Sequence, residues 1–136
     1  MNYLLDTNVC FALINGTTRK VRTRFSQSVQ SGATLAIPSI VTHELWYGVA
    51  KSQLVAKNAR ALSEFLRGEI AVLDFTERDS QAAGEIRVDL ENRGQRIGEN
   101  DTLIAGQAFS RNLILVTANT REFGRVNGLV VEDWTL

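Results

Sequence analysis

Short apolar runs alternate along this chain with longer stretches whose apolar residues recur at helical spacing. The runs at 3–5, 34–37, 71–74, 113–116 and 129–132 predict strands, and the periodic stretches predict helices over 7–15, 20–30, 40–51, 55–66, 77–93 and 101–111. Gly32, Gly68, Gly94 and Gly128 punctuate the joins. Strands that are apolar throughout and separated by helices imply a parallel sheet covered on both faces. The expected fold class is therefore α/β, a sandwich of helices around a central parallel sheet of four to five strands. With 136 residues, no repeat and no linker, the chain is read as one domain, 1–136.

The pattern also exposes acids in the wrong place for solvent. Asp6 directly follows the strand residues Tyr3-Leu4-Leu5, at the carboxyl edge of the first strand. Glu44 shares a helical face with Val41, Leu45 and Gly48. Asp101 opens a helix on the face that carries Ile104, Ala105 and Ala108. An acid facing inward must cap a helix, be paired or bind a cation. Structural readings exist for each: Asp6 before Thr7-Asn8 suits a helix cap, Asp101 suits a helix dipole, and Glu44 suits an ion pair with an arginine.

Convergence of the three favours a cation. Two carboxylates about 5 Å apart repel by roughly 3 kcal/mol at an effective dielectric of about 20. Oxygen donors without a Cys or His cluster select Mg²⁺ or Mn²⁺ over zinc. Such ions activate water and bridge phosphate oxygens, so the chemistry implied is phosphodiester hydrolysis. In open α/β sheets a ligand binds at the carboxyl ends of the strands, near the switch point. Thr117 and Asn119 follow a late strand and are candidates to hold a ligand acid or a water, beside ordinary turn chemistry. Asn8 is a further candidate for support, and Glu122 is either a fourth acid or a surface residue.

Composition narrows the setting. Fifteen basic and fifteen acidic residues cancel, so net charge points to no partner. The basic residues are unevenly placed, with Arg19, Lys20, Arg22 and Arg24 in one stretch that is a candidate contact for RNA phosphates or a solvated helix face. One cysteine, Cys10, excludes an internal disulfide. The amino terminus has no basic leader and no run has membrane-spanning length, so a cytoplasmic protein without membrane association is expected. The run Val9-Cys10-Phe11-Ala12-Leu13-Ile14 has no polar face and needs cover on both sides, from this domain or from a partner. Phe11, Leu13, Ile14, Trp46 and Tyr47 are the candidates for a hydrophobic groove that receives a partner helix.

Taken together, four segments resemble one family: Leu5-Asp6-Thr7-Asn8; His43-Glu44-Leu45 with Gly48; Ile97-Gly98-Glu99-Asn100-Asp101 with Ile104-Ala105; and Val116 through Phe123. With the closing Val131-Glu132-Asp133-Trp134, their order and spacing resemble a PIN-domain ribonuclease, specifically a VapC-like toxin of a bacterial toxin–antitoxin pair. The resemblance implies a metal-dependent endoribonuclease that hydrolyses a tRNA or a ribosomal RNA loop, with Asp6, Glu44 and Asp101 holding Mg²⁺ or Mn²⁺. Many PIN domains carry a fourth aspartate near the fourth strand; the matching position here is Asn119, with Glu122 nearby. The resemblance further implies a VapB-like antitoxin that threads over the toxin, binding to operator DNA only through that antitoxin, and a toxin homodimer.

Three other readings compete. A haloacid-dehalogenase-type phosphatase needs a second Asp two residues after the first, where Asn8 stands. A receiver domain needs a lysine after a late strand, and the lysines here are Lys20, Lys51 and Lys57. The third is a non-catalytic protein-binding module in which the acids serve structure.

Overall fold

A computed structural model describes residues 1–136. In chain order its elements are β1 (Asn2–Leu5), α1 (Thr7–Asn15), α2 (Arg19–Gln30), β2 (Thr34–Pro38), α3 (Ser39–Ala50), α4 (Val55–Leu66) and β3 (Ala71–Leu73). There follow α5 (Glu77–Asn92), α6 (Glu99–Ser110), β4 (Ile114–Val116), α7 (Thr120–Phe123) and β5 (Val131–Glu132). The expected sheet is present, with five parallel strands in the order β3-β2-β1-β4-β5.

The strand order fixes where a site can form. The chain leaves β1 for β2 and β3 on one side, then returns to lay β4 and β5 on the other. The switch point therefore lies between the carboxyl ends of β1 and β4, paired in register from Tyr3 with Ile114 to Leu5 with Val116. β1 is the central strand, and Leu4 and Leu5 are fully buried beside Ile37, Leu115 and Val116.

α6 runs through the core with Ile104, Ala105, Gly106, Gln107 and Ala108 all buried. It can lie close against α5 because residue 106 is a glycine: a Cβ there would stand 2.6 Å from Ala83 Cβ and 2.7 Å from Ala83 N. Asp79 of α5 anchors the far end of this helix pair. It is buried, accepts bonds from Ser110 and from Arg111 Nη2 at 3.0 Å, and forms a capping box with Thr76. Burial raises the Asp79 pKa, but those hydrogen bonds outweigh it and hold the carboxyl at about 2.

Two departures from the expected elements bear on the site. α6 begins at Glu99 behind an N-cap at Gly98, so Asp101 sits at the third helical position rather than the first. The four-residue α7 was not expected; it is too short for a period of 3.6 residues to register. No helix is long and apolar enough to cross a membrane.

Candidate active site

Asp6 is the N-cap residue of α1, and both its oxygens are engaged. Oδ1 accepts from the Thr7 backbone N–H at 2.8 Å, and Oδ2 accepts from the Thr117 hydroxyl at 2.8 Å. The Asp6 N–H donates to Val116 O, which continues the β1–β4 ladder one step past the strands. The cap orients the Asp6 carboxylate, and Thr117, the residue after β4, steadies its other oxygen.

A chain of hydrogen bonds leads from Asp6 to Glu122. The Asn119 N–H donates to Thr117 Oγ1 at 3.0 Å, and Asn119 Nδ2 donates to Glu122 Oε2 at 3.0 Å. The Glu122 carboxyl comes within hydrogen-bonding reach of Asp101. The acid that Asn119 holds is Glu122 on α7. Glu122 is half-buried and meets Asp101, so it is no free surface residue.

Asp6, Glu44 and Asp101 line one cavity of about 390 Å³, together with Thr7, Asn8, Phe11, Tyr47, Gly48, Lys51 and Asn119. The acids come from the end of β1, the middle of α3 and the first turn of α6, elements far apart in sequence. Glu44 forms no ion pair, which removes its simplest structural explanation. Burial, then the charge of Asp6, then the hydrogen bond and charge of Glu122, then the charge of Glu44 raise the Asp101 pKa from 3.8 to about 6. All-oxygen donors with uncompensated negative charge suit a hard divalent cation by chemistry. As the side chains stand, no three acids draw close enough to enclose an ion. The donor set fits such a cation; its spacing is that of carboxylates held apart.

The other expected residues divide. Asn8 lines the acid cavity. Phe11 and Ile14 line a neighbouring apolar cavity of about 350 Å³ between α1, α3 and α4, with Leu45, Val49, Ala61 and Leu62. The two cavities share Phe11 and Gly48, whose lack of a side chain leaves room for the Phe11 ring: a Cβ there would stand 3.3 Å from it. Leu13 and Trp46 line neither cavity, and Tyr47 lines the acid cavity rather than the apolar one. For Trp46 and Tyr47 the reason is helical phase: on α3, residues 44, 47 and 48, continued by the C-cap residue 51, share a face that excludes 46.

The basic stretch also divides. Arg19, Lys20 and Arg22 are exposed and line no part of the acid cavity. Arg24 is committed elsewhere: it pairs with Glu132 at 3.0 Å and lies over the Trp134 ring at 5.4 Å. Trp134 in turn donates to Glu132 Oε1 and packs edge-on against Tyr3. His43 is exposed and outside the acid cavity, and Cys10 is buried as packing, its thiol pushed up by burial and then by the Asp6 charge. The residue missed from the sequence is Lys51. Its signal was present in the spacing Glu44, Tyr47, Gly48, Lys51, one face of one helix.

A family model described as "PIN domain" matches residues 3–129. The chain is 40% identical over 135 residues to the tRNA(fMet)-specific endonuclease VapC of Shigella flexneri, covering 99% of each. It superposes with a TM-score of 0.92 on a chain of the VapBC2 crystal structure from Rickettsia felis bound to a promoter DNA fragment, at 39% identity and over 98% of this chain and 99% of that one. A chain of DNA-bound VapBC from Salmonella typhimurium gives a TM-score of 0.90 at 36% identity, over 98% of each.

Proposed function

Because the chain belongs to the PIN-domain family, and within it to the VapC ribonucleases, we propose that it is the metal-dependent endoribonuclease toxin of a toxin–antitoxin pair and cuts RNA in the cavity walled by Asp6, Glu44 and Asp101. The observation that carries this reading is that those three acids, from three separate elements, line one cavity at the topological switch point.

The residues divide the work. Asp6 is held in one orientation by Thr7 and Thr117. Glu44 and Asp101 line the same cavity, and Glu122 is held by Asn119. Asp6, Glu44 and Asp101 would hold Mg²⁺ or Mn²⁺, and Glu122 is the acid that stands in for the fourth aspartate replaced by Asn119. The ion, when bound, supplies an activated water and neutralises charge on phosphate oxygens. The chain supplies the fixed carboxylates, the cavity that admits a phosphate and the covered floor of β1 and β4.

The substrate is RNA, in the form of a tRNA or ribosomal RNA loop, whose splayed bases reach a shallow cavity as a duplex does not. A VapB-like antitoxin lays an apolar helix face into the cavity of Phe11, Ile14, Leu45, Val49 and Leu62 beside the acids. Operator DNA is bound through the antitoxin, and the toxin works in the cytoplasm as a homodimer within the larger complex. Arg19, Lys20 and Arg22 meet flanking RNA phosphates.

The test is substitution of each acid in protein freed of antitoxin, with circular dichroism to verify folding. Asp6→Asn, Glu44→Gln and Asp101→Asn should each lower the rate of RNA cleavage by about two orders of magnitude or more, roughly 2.7 kcal/mol of transition-state stabilisation. Near-normal cleavage by any one folded variant removes that residue from the site.

A further inference from the structure

The acid cavity has one cationic side chain in its wall, Lys51, and two exposed aromatics, Phe11 and Tyr47, of which Tyr47 is the more exposed. Tyr47 and Lys51 stand on the α3 face that carries Glu44. Lys51 Nζ lies 4.7 Å from the centre of the Tyr47 ring. It forms no ion pair, although three carboxylates line the same cavity. An ammonium near the last turn of a helix is favoured by the helix dipole, and a lone exposed tyrosine needs no explanation. Neither fact accounts for an aromatic and a cation stacked together on the wall of an anionic cavity.

We propose that Tyr47 and Lys51 form a nucleotide clamp at the rim of the cavity, Tyr47 stacking on a base next to the scissile phosphate and Lys51 meeting the backbone phosphate beside it. This rests on the ribonuclease reading. It follows from what a polyanion needs at such a site. An ion held by the three acids would serve the scissile phosphate, and the neighbouring phosphate is left for a cation outside the acid cluster. A single-stranded base brought to the same rim finds its most sequence-tolerant contact on an aromatic face. Tyr47 is 60% exposed, so its ring is open to such a base. A cation already seated against the ring keeps phosphate and base contacts at the spacing of one helical turn. Tyr47 and Lys51 are positioning residues; the chemistry stays with the acids.

The experiment is steady-state cleavage of bulk tRNA and ribosomal RNA by the antitoxin-free protein and by Tyr47→Ala, Tyr47→Phe, Lys51→Ala and Lys51→Arg. Tyr47→Ala should raise KM by about tenfold while kcat changes far less, and Tyr47→Phe should retain near-normal KM because the ring is what stacks. Lys51→Ala should raise KM and lower the steepness of its dependence on salt by about one phosphate contact, and Lys51→Arg should restore both. The salt dependence separates this role from a structural one, which would not move it. If the wild-type protein cleaves RNA and all four variants match it in KM and salt dependence, the clamp is wrong and the ribonuclease reading stands. If the alanine variants weaken antitoxin binding with RNA KM unchanged, this rim serves the protein partner and the clamp is again wrong. If the wild type cleaves no RNA, the clamp falls with the reading beneath it.

Discussion

Asp101 sits where two local forces oppose each other. As an acid in the first turn of α6 it is favoured by the helix dipole. Burial and the charges of Asp6, Glu122 and Glu44 act the other way and win, lifting its pKa from 3.8 to about 6. The sign of the linkage follows. A raised carboxyl binds its proton more tightly in the folded protein than in the unfolded chain. The metal-free fold is therefore penalised in full above about pH 6, and the penalty fades as pH falls from 6 toward 3.8. Asp101→Asn removes the charge, so in EDTA at pH 7.5 it should melt higher than the wild type, by about 3 °C for a domain of this size. The advantage should shrink as the pH is lowered through 6. Thermal melts at pH 7.5 and 4.5 check this; a variant that melts no higher than the wild type at pH 7.5 contradicts it.

Residue by residue, the sequence showed the three acids because each interrupted an apolar face or a strand end. It could not show which residues steady them. Thr117 reaches Asp6 across 111 positions, and Arg24 reaches Glu132 across 108. Such pairings follow from topology, and no local pattern encodes them. Arg24 shows the cost: within its stretch it reads as one more exposed cation, yet it is tied to the carboxyl-terminal Glu132 and Trp134.

At the scale of elements, the strands and long helices were legible because continuous apolar runs and helical periods are strong signals over their lengths. α7 was not, and it carries Glu122, so the fourth acid was visible as a residue but not as a neighbour of Asp101. The α5–α6 pair gives the sharpest element-level test. Gly106→Ala gains helix propensity of about 1 kcal/mol. The new Cβ would stand 2.6 to 2.8 Å from Ala83 Cβ, N and Cα. Backbone atoms cannot turn aside as a flexible side chain does, so overpacking prevails and the variant should lose about 1–3 kcal/mol in urea unfolding. A Cβ added at Gly84, next along α5, would meet nothing within 4 Å. Gly84→Ala should gain stability by up to about 1 kcal/mol. Equal effects of the two substitutions would contradict the close packing of this helix pair.

For the whole molecule, the balanced net charge conceals a local imbalance. Fifteen acids and fifteen bases sum to zero, yet one cavity at the switch point gathers three carboxylates and one unpaired lysine. The strand order places that cavity where the ends of β1 and β4 diverge, and the apolar cavity beside it shares Phe11 and Gly48 with it. A partner helix seated in the second cavity would lie against the first, which joins inhibition to recognition in one surface. If the carboxylates of this cavity work by holding a hard divalent cation, RNA cleavage by antitoxin-free protein should proceed in Mn²⁺, stop in excess EDTA and return when Mn²⁺ is restored. Undiminished cleavage in EDTA would show that the carboxylates work without an ion.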